Sequence, residues 1–208
     1  MTVRRRRVVL ATTNRHKARE IASILAPFGL EVEVPERLPE VVEDGDTFEA
    51  NALKKARSAA RATGRAAMAD DSGLVVAALG GEPGVRSARY AGEDATDEAN
   101  NRKLLDELAR RGLADPAAAF VCHAVLVAPD GTVLATAAGR VEGTIRGPAR
   151  GSNGFGYDPL FHHVSARHPA PGLRFAELSA ADKDAISHRG RAFRAIGEAV
   201  AALPDGAL

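Results

Sequence analysis

The sequence predicts an α/β domain organised on an elongated mixed β-sheet flanked by helices. Helical periodicity falls near both ends of the chain, with extended stretches between. The run Val8 to Thr12 is apolar at successive positions, the pattern of a strand covered on both faces. Phe120 to Ala128 and Thr132 to Arg140 flank Pro129-Asp130-Gly131, which reads as a hairpin and adds antiparallel pairing to the sheet. At 208 residues the chain is one large domain or two small lobes, with enough length to bury a proper core. No linker, repeat or low-complexity segment marks an edge, so residues 1–208 are read as a single domain.

Composition narrows the function classes. Hydrophobic residues make up 45% and charged residues 26%, ordinary for a soluble globular chain. The net charge of +1 gives no global field to recruit nucleic acid. Arg4 to Arg7 is basic but reads as a solvated arm before the first strand. No apolar run approaches the ~20 residues of a membrane span, and the N-terminus lacks the apolar core of a signal peptide. Cys122 is the single cysteine, so no internal disulfide forms, and its apolar surroundings suit core packing. These features place the chain in the cytoplasm.

The elements follow in order. After the first strand comes Thr12-Thr13-Asn14-Arg15-His16-Lys17, then a helix with Ile21, Ile24, Leu25 and Phe28 on one side, closed by Pro27 and Gly29. Such a polar turn offers free amides and cations at a helix start, suited to phosphate, and equally suits a plain capping loop. Glu31 to Val34 alternates as a strand. Asp46 and Glu49 form a capping-box pattern for a helix running to Thr63 and Gly64, which leaves Glu43 and Asp44 without a structural task. Asn51 and Lys55 lie one turn apart on one face of that helix.

Ala69-Asp70-Asp71-Ser72-Gly73 is the centre of the chain. A strand from Ala66 is expected to end there at a surface or cleft, with the two carboxylates on opposite faces. Paired acids suit a hard divalent cation or a general base, and the same residues suit a turn. Gly80 to Gly84 is too broken for regular structure, and Val85 to Gly92 reads as a loop. Thr96 caps a helix that has Asp97 and Glu98 in its first turn and ends at Arg110-Arg111-Gly112. Val141 to Ile145 extends or follows the hairpin. Gly151 to Pro159 places three glycines around Phe155, which either stacks on a base or folds back into the core. Ser187 reads as a fresh N-cap, putting His188 and Arg189 in the first turn of the last helix, so that Lys183 and Arg189 can converge on an anion.

Taken together, Thr12 to Lys17, Thr47-Phe48 to Ala56, Ala69 to Gly73, Ser87-Ala88-Arg89-Tyr90, Gly154 to Pro159 and Ser187-His188-Arg189-Gly190 form an ordered set of six motifs. In these the chain resembles the inosine/xanthosine triphosphate pyrophosphatases, from about Val8 to the final helix. The resemblance implies two lobes with a central active-site cleft, a homodimer, Mg²⁺, and hydrolysis of ITP, dITP or XTP to the monophosphate and pyrophosphate. It implies phosphate contacts from Thr12, Thr13, Asn14, Arg15, His16 and Lys17, with Lys55 a phosphate-facing catalytic lysine. Asp71 is implied as the catalytic acidic residue and Ser72 as a substrate contact. Glu43 and Asp71 are implied as the metal pair; many relatives carry Glu where this chain has Ala50. Phe155, Gly156, Tyr157 and Asp158 are implied to receive the base, and Lys183, His188 and Arg189 to complete the site. Arg189, an obligate donor, is the candidate for reading the C6 oxygen of the base. Asp70 either shapes a turn or is the alternative to Asp71 for the base. No Ser-His-Asp or Cys-His set is apparent, which favours direct attack by water. A pyrophosphatase of modified pyrimidine nucleotides, and a non-catalytic nucleotide- or RNA-binding protein, are the alternative classes; beyond the nucleotide and a second copy of the chain, no nucleic-acid or membrane partner is expected.

Overall fold

A computed structural model describes residues 6–164, 172–204 and 208. Six strands form one sheet in the order β2-β1-β3-β4-β5-β6. They are β1 (Arg6–Leu10), β2 (Leu30–Glu33), β3 (Ala67–Val76), β4 (Ala117–Val127), β5 (Val133–Ile145) and β6 (Phe161–His163). The helices are α1 (Arg15–Leu25), α2 (Phe48–Thr63), α3 (Asp97–Arg110), α4 (Ala180–Ile186) and α5 (His188–Ala201). β1 pairs in parallel with both β2 and β3, and β6 runs antiparallel to β5, so the expected mixed sheet is present.

The chain divides into two compact units, Met1–Asp71 with Cys122–Gly139 and Arg189–Leu208, and Ser72–Val121 with Arg140–His188. In the first, α1 and α5 lay Ile21, Ile24, Leu25, Phe193, Ile196 and Val200 against Val8, Leu10, Met68 and Leu126 of the strands. The alanines of α2 (Ala52, Ala56, Ala59 and Ala60) cover Val9, Ala67, Ala69 and Val125; their small side chains allow α2 a close approach to the strands. The second unit has its own core, in which Leu74, Leu104, Leu108, Phe120, Ile145, Phe161 and Phe175 are buried. Phe120, Phe161 and Phe175 pack mutually, with Phe120 centroids 4.6 and 5.7 Å from the other two rings and those two 5.0 Å apart.

Several local expectations are corrected. β3 does not end at the acidic pentapeptide; it runs through Asp70 and Asp71 to Val76. Gly73 permits this, because a Cβ there would lie 2.3 Å from Ser87 Oγ, the atom that accepts the Leu74 N–H. The N-cap of α2 is Thr47, whose hydroxyl accepts from Ala50 N, and not Asp46. Position 50 is thus the third helical residue, where a Glu would complete a capping box and Ala cannot. Residues Gly84–Arg89 form a 3₁₀ helix rather than a loop. Arg6 and Arg7 belong to β1: Arg6 Nη1 donates to Val200 O at 2.7 Å, and Arg7 pairs with Glu31. Arg4 and Arg5 lie outside the described residues. The Thr96 cap, the Gly29 and Gly64 terminations in the left-handed region, and the single long β5 through Val141 to Ile145 are as expected.

Candidate active site

In the first unit, β3 presents its two acids to opposite faces, and both are buried at 2% and 5% exposure. An unsupported carboxylate there would be costly, so each draws its own set of partners. Asp71 receives Asn51 Nδ2 at 3.2 Å on one oxygen and Lys55 Nζ at 3.4 Å on the other. Both donors come from one face of α2, as their spacing requires. Lys55 Nζ also lies 3.0 Å from Glu43 Oε1, so one ammonium bridges two carboxylates from different elements. Asn51 also fixes the acidic loop: its Oδ1 accepts Gly45 N at 2.8 Å and its Nδ2 donates to Gly45 O at 3.3 Å. The close approach needs a glycine, since a Cβ at Gly45 would sit 2.6 Å from Asn51 Oδ1. Asp44 pairs with Lys54 instead and stands apart from this set.

The electrostatics of the cluster follow from burial and neighbours. Burial lowers the Lys55 pKa, but the carboxylates of Asp71, Asp70 and Glu43 outweigh it and raise the value, so the ammonium stays charged. For Asp71 burial wins: it lifts the carboxyl above its ordinary value, against the pull of Lys55, while Glu43 adds to the lift and Lys17 and Asn51 oppose it.

On the other face of β3, Asp70 does not shape a turn. Its Oδ2 lies 3.3 Å from Lys17 Nζ and 3.4 Å from Arg189 Nη2, and it accepts from Cys122 Sγ at 3.9 Å. Arg189, 2% exposed, places Nη1 on Glu20 Oε2 at 2.6 Å. Its terminal nitrogens each meet a carboxylate, Glu20 and Asp70; within the other unit Lys183 pairs with Asp158. Burial and the adjacent Asp70 charge push the Cys122 thiol up. Iodoacetamide at pH 8 is therefore expected to leave Cys122 unmodified in the native protein and to label it fully once unfolded, read by intact mass.

The turn before α1 is self-capped. Thr12 Oγ1 accepts Asn14 N, and Asn14 Oδ1 accepts the amides of His16 and Lys17 at 2.9 and 3.1 Å. Those two amides are thus held in the capping arrangement, one of the two that the sequence allows. Thr13, Arg15 and His16 are exposed, and Lys17 reaches Asp70.

In the second unit, Ser72 continues β3, half-buried. The 151–159 loop turns through left-handed glycines at 151, 154 and 156, with φ of 85°, 75° and 62°. Asp158, 2% exposed, closes it by accepting Phe155 N at 2.9 Å and Lys183 Nζ at 2.6 Å. Phe155 is half-buried, with Lys183 Nζ 4.8 Å from its ring centroid. Tyr157 folds into the core, its hydroxyl donating to Ser87 O at 2.9 Å. Ser187 separates α4 from α5 in an extended conformation, and His188 opens α5 stacked on Phe120 with centroids 4.8 Å apart. Among the described residues no three His, Cys, Asp or Glu side chains gather as a metal centre, and no helix is long and apolar enough to cross a membrane.

The chain matches the model of the Ham1 family over residues 8–199. It belongs to the Ham1 family. It is 54% identical over 188 residues to a dITP/XTP pyrophosphatase of Syntrophobacter fumaroxidans, covering 89% of this chain and 78% of that one. It is also 54% identical to a dITP/XTP pyrophosphatase of Geobacter sulfurreducens, covering 89% and 92% of the two chains. The solved structure of a HAM1 protein from Coxiella burnetii superposes with a TM-score of 0.82 at 38% identity, covering 93% of this chain and 98% of that one. Within this Ham1 family chain, sequence inspection missed Glu20, which carries no motif signal, and the reach of Asn51 to Asp71. The Asn51–Lys55 spacing was the available clue to the latter.

Proposed function

We propose that this chain hydrolyses non-standard purine nucleoside triphosphates (ITP, dITP and XTP) to the monophosphate and pyrophosphate. The observation that carries the chemistry is the grip on Asp71, a buried carboxylate held at both oxygens by Asn51 and Lys55. The substrate class comes from the dITP/XTP pyrophosphatases that this chain matches at 54% identity. Asp71 is oriented to take the proton of an attacking water while the α–β anhydride bond breaks and pyrophosphate leaves with the bond's electrons. Lys17 and Lys55 supply cations for the triphosphate, with Thr12 to His16 beside them.

Glu43 and Asp71 fit Mg²⁺: both are hard oxygen donors, and they already share one cation, the Lys55 ammonium. Magnesium commonly uses one or two carboxylates together with substrate phosphates, which suits a site short of a full protein cage. When bound it would polarise phosphoryl oxygens and offset their charge. Phe155 is assigned to the base, with Gly156 to Asp158, Lys183, Ser72 and His188 around the nucleotide. Arg189 is reassigned to support, because Glu20 and Asp70 take its terminal nitrogens. A homodimeric, cytoplasmic enzyme is part of the same reading. Of the arginines on which the RNA-binding alternative rests, Arg6 donates to Val200 O and Arg7 pairs with Glu31.

The deciding experiment is pyrophosphate release by the purified protein from ITP, dITP, XTP and the standard triphosphates, with Mg²⁺ and with chelator. Preference for the oxo-purines with metal dependence is expected; no release from any of the three would overturn the reading. Within it, Phe155→Ala should cost about 1–3 kcal/mol of base stacking, raising KM roughly 5- to 150-fold with little change in melting temperature. Unchanged KM with lost stability would return Phe155 to the core.

A further inference from the structure

α3 lies outside every motif that carries the family resemblance, yet it grips the centre of the base loop. Asp97 Oδ2 accepts Gly156 N at 2.6 Å, and Asn101 Nδ2 donates to Gly156 O at 3.0 Å. Asp97 and Asn101 are one helical turn apart, so a single face of α3 holds the N–H and the carbonyl of one residue. The loop needs external anchors because its left-handed glycines leave its backbone little intrinsic preference. On its N-terminal side Asn153 N donates to Ala176 O at 3.0 Å and Asn153 Nδ2 to Leu178 O at 2.9 Å. On its C-terminal side Asp158 takes Phe155 N. Gly154 is packed against that carboxylate: a Cβ there would come within 2.1 Å of Asp158 Oδ2. The successive amides of Phe155 and Gly156 are thus each held by a carboxylate from a different part of the chain, and the aromatic ring stands between two fixed peptides.

We propose that Asp97 and Asn101 are positioning residues for base recognition, acting on the purine only through the pose of Phe155–Gly156. This rests on the assignment of Phe155 to the base. Asp97 reads in the sequence as an ordinary acid in the first turn of a helix, a favourable place for negative charge. Its neighbour Glu98 has the same charge in the same turn and is exposed, which provides an internal control.

The test uses Asp97→Ala, Asp97→Asn and Glu98→Ala in the full chain. Amide exchange of Phe155 and Gly156 is followed by NMR, together with KM and kcat for ITP and inhibition by pyrophosphate, a ligand without a base. Loss of a charge-assisted hydrogen bond predicts Gly156 exchange and ITP KM each rising about tenfold in Asp97→Ala. kcat and the pyrophosphate inhibition constant should stay within about twofold, and Asp97→Asn, which keeps an acceptor oxygen, should recover most of the loss. Glu98→Ala should change none of these. Unchanged Gly156 exchange, a parallel rise in the pyrophosphate constant, or an equal effect of Glu98→Ala overturns the proposal. If wild-type protein releases no pyrophosphate from ITP, the functional reading fails by itself, and an unchanged Gly156 exchange would still refute the clamp.

Discussion

Asp71→Asn is expected to lose roughly 10²- to 10⁴-fold in the rate of pyrophosphate release, the range for a lost general base, while its melting temperature in metal-free buffer at pH 7 rises. The two effects share one cause. Burial raises the Asp71 carboxyl above its ordinary 3.8, against the pull of Lys55. A carboxylic acid with a raised folded pKa binds its proton more tightly folded than unfolded. Its ionisation therefore costs stability at every pH above the unfolded value, and neutral pH lies in that window. The Asn amide keeps the shape and carries no charge, and Lys55 retains Glu43 at 3.0 Å. The check is steady-state kinetics beside a thermal melt with chelator present. Activity within tenfold of wild type would move the base elsewhere, and a lowered melting temperature would mean that the Lys55 contact outweighs burial.

Arg189→Ala is expected to act on stability before selectivity. Its guanidinium joins Glu20 and Asp70, each largely or wholly buried, and Asp70 in turn holds Lys17. Removing one partner of a buried ion pair leaves the other charge uncompensated, a loss on the order of 3 kcal/mol, softened here because Lys17 remains on Asp70. Measured at a temperature where the variant is folded, the rates on ITP and ATP should fall by a similar factor. A selective loss of the ITP rate in a variant of normal stability would restore Arg189 to the base. Glu20→Gln should reproduce part of the stability loss, since the amide still accepts the guanidinium but no longer offsets its charge.

Period and capping made much of the fold legible. The alternation and apolar runs of the strands, the Thr96 cap, the hairpin and the break at Ser187 all rest on short-range rules. The failures lie where tertiary partners override those rules. Asp70-Asp71-Ser72-Gly73 has the composition of a turn, yet ion pairs on both faces keep it in a strand, and nothing within five residues signals Lys17, Lys55 or Arg189. The same holds for the site. Motif order brought Asn14, Asp158 and Lys183 forward, but not that Asn14 spends its side chain on capping, nor that Asp158 holds Lys183. Thr47 carries a local signal of its own: Thr directly before a helical run is a favoured cap, a little behind the Asp one residue earlier.

The chain crosses between its two compact units four times, after Asp71, Val121, Gly139 and His188. Synthesis runs from the N-terminus, so the order of emergence decides what can be finished when. The second unit has all its residues once His188 is made, whereas the first waits for the last twenty, which bring Phe193, Ile196 and Val200 to Val8 and Leu10. The Arg6–Val200 hydrogen bond closes across 194 residues. Until α5 leaves the ribosome, β1 and α1 lack their apolar cover, and Asp70, already placed in β3, lacks its guanidinium partner. The half of the molecule made first is thus completed last, and nascent chains stalled before α5 would be prime clients for chaperones and proteases.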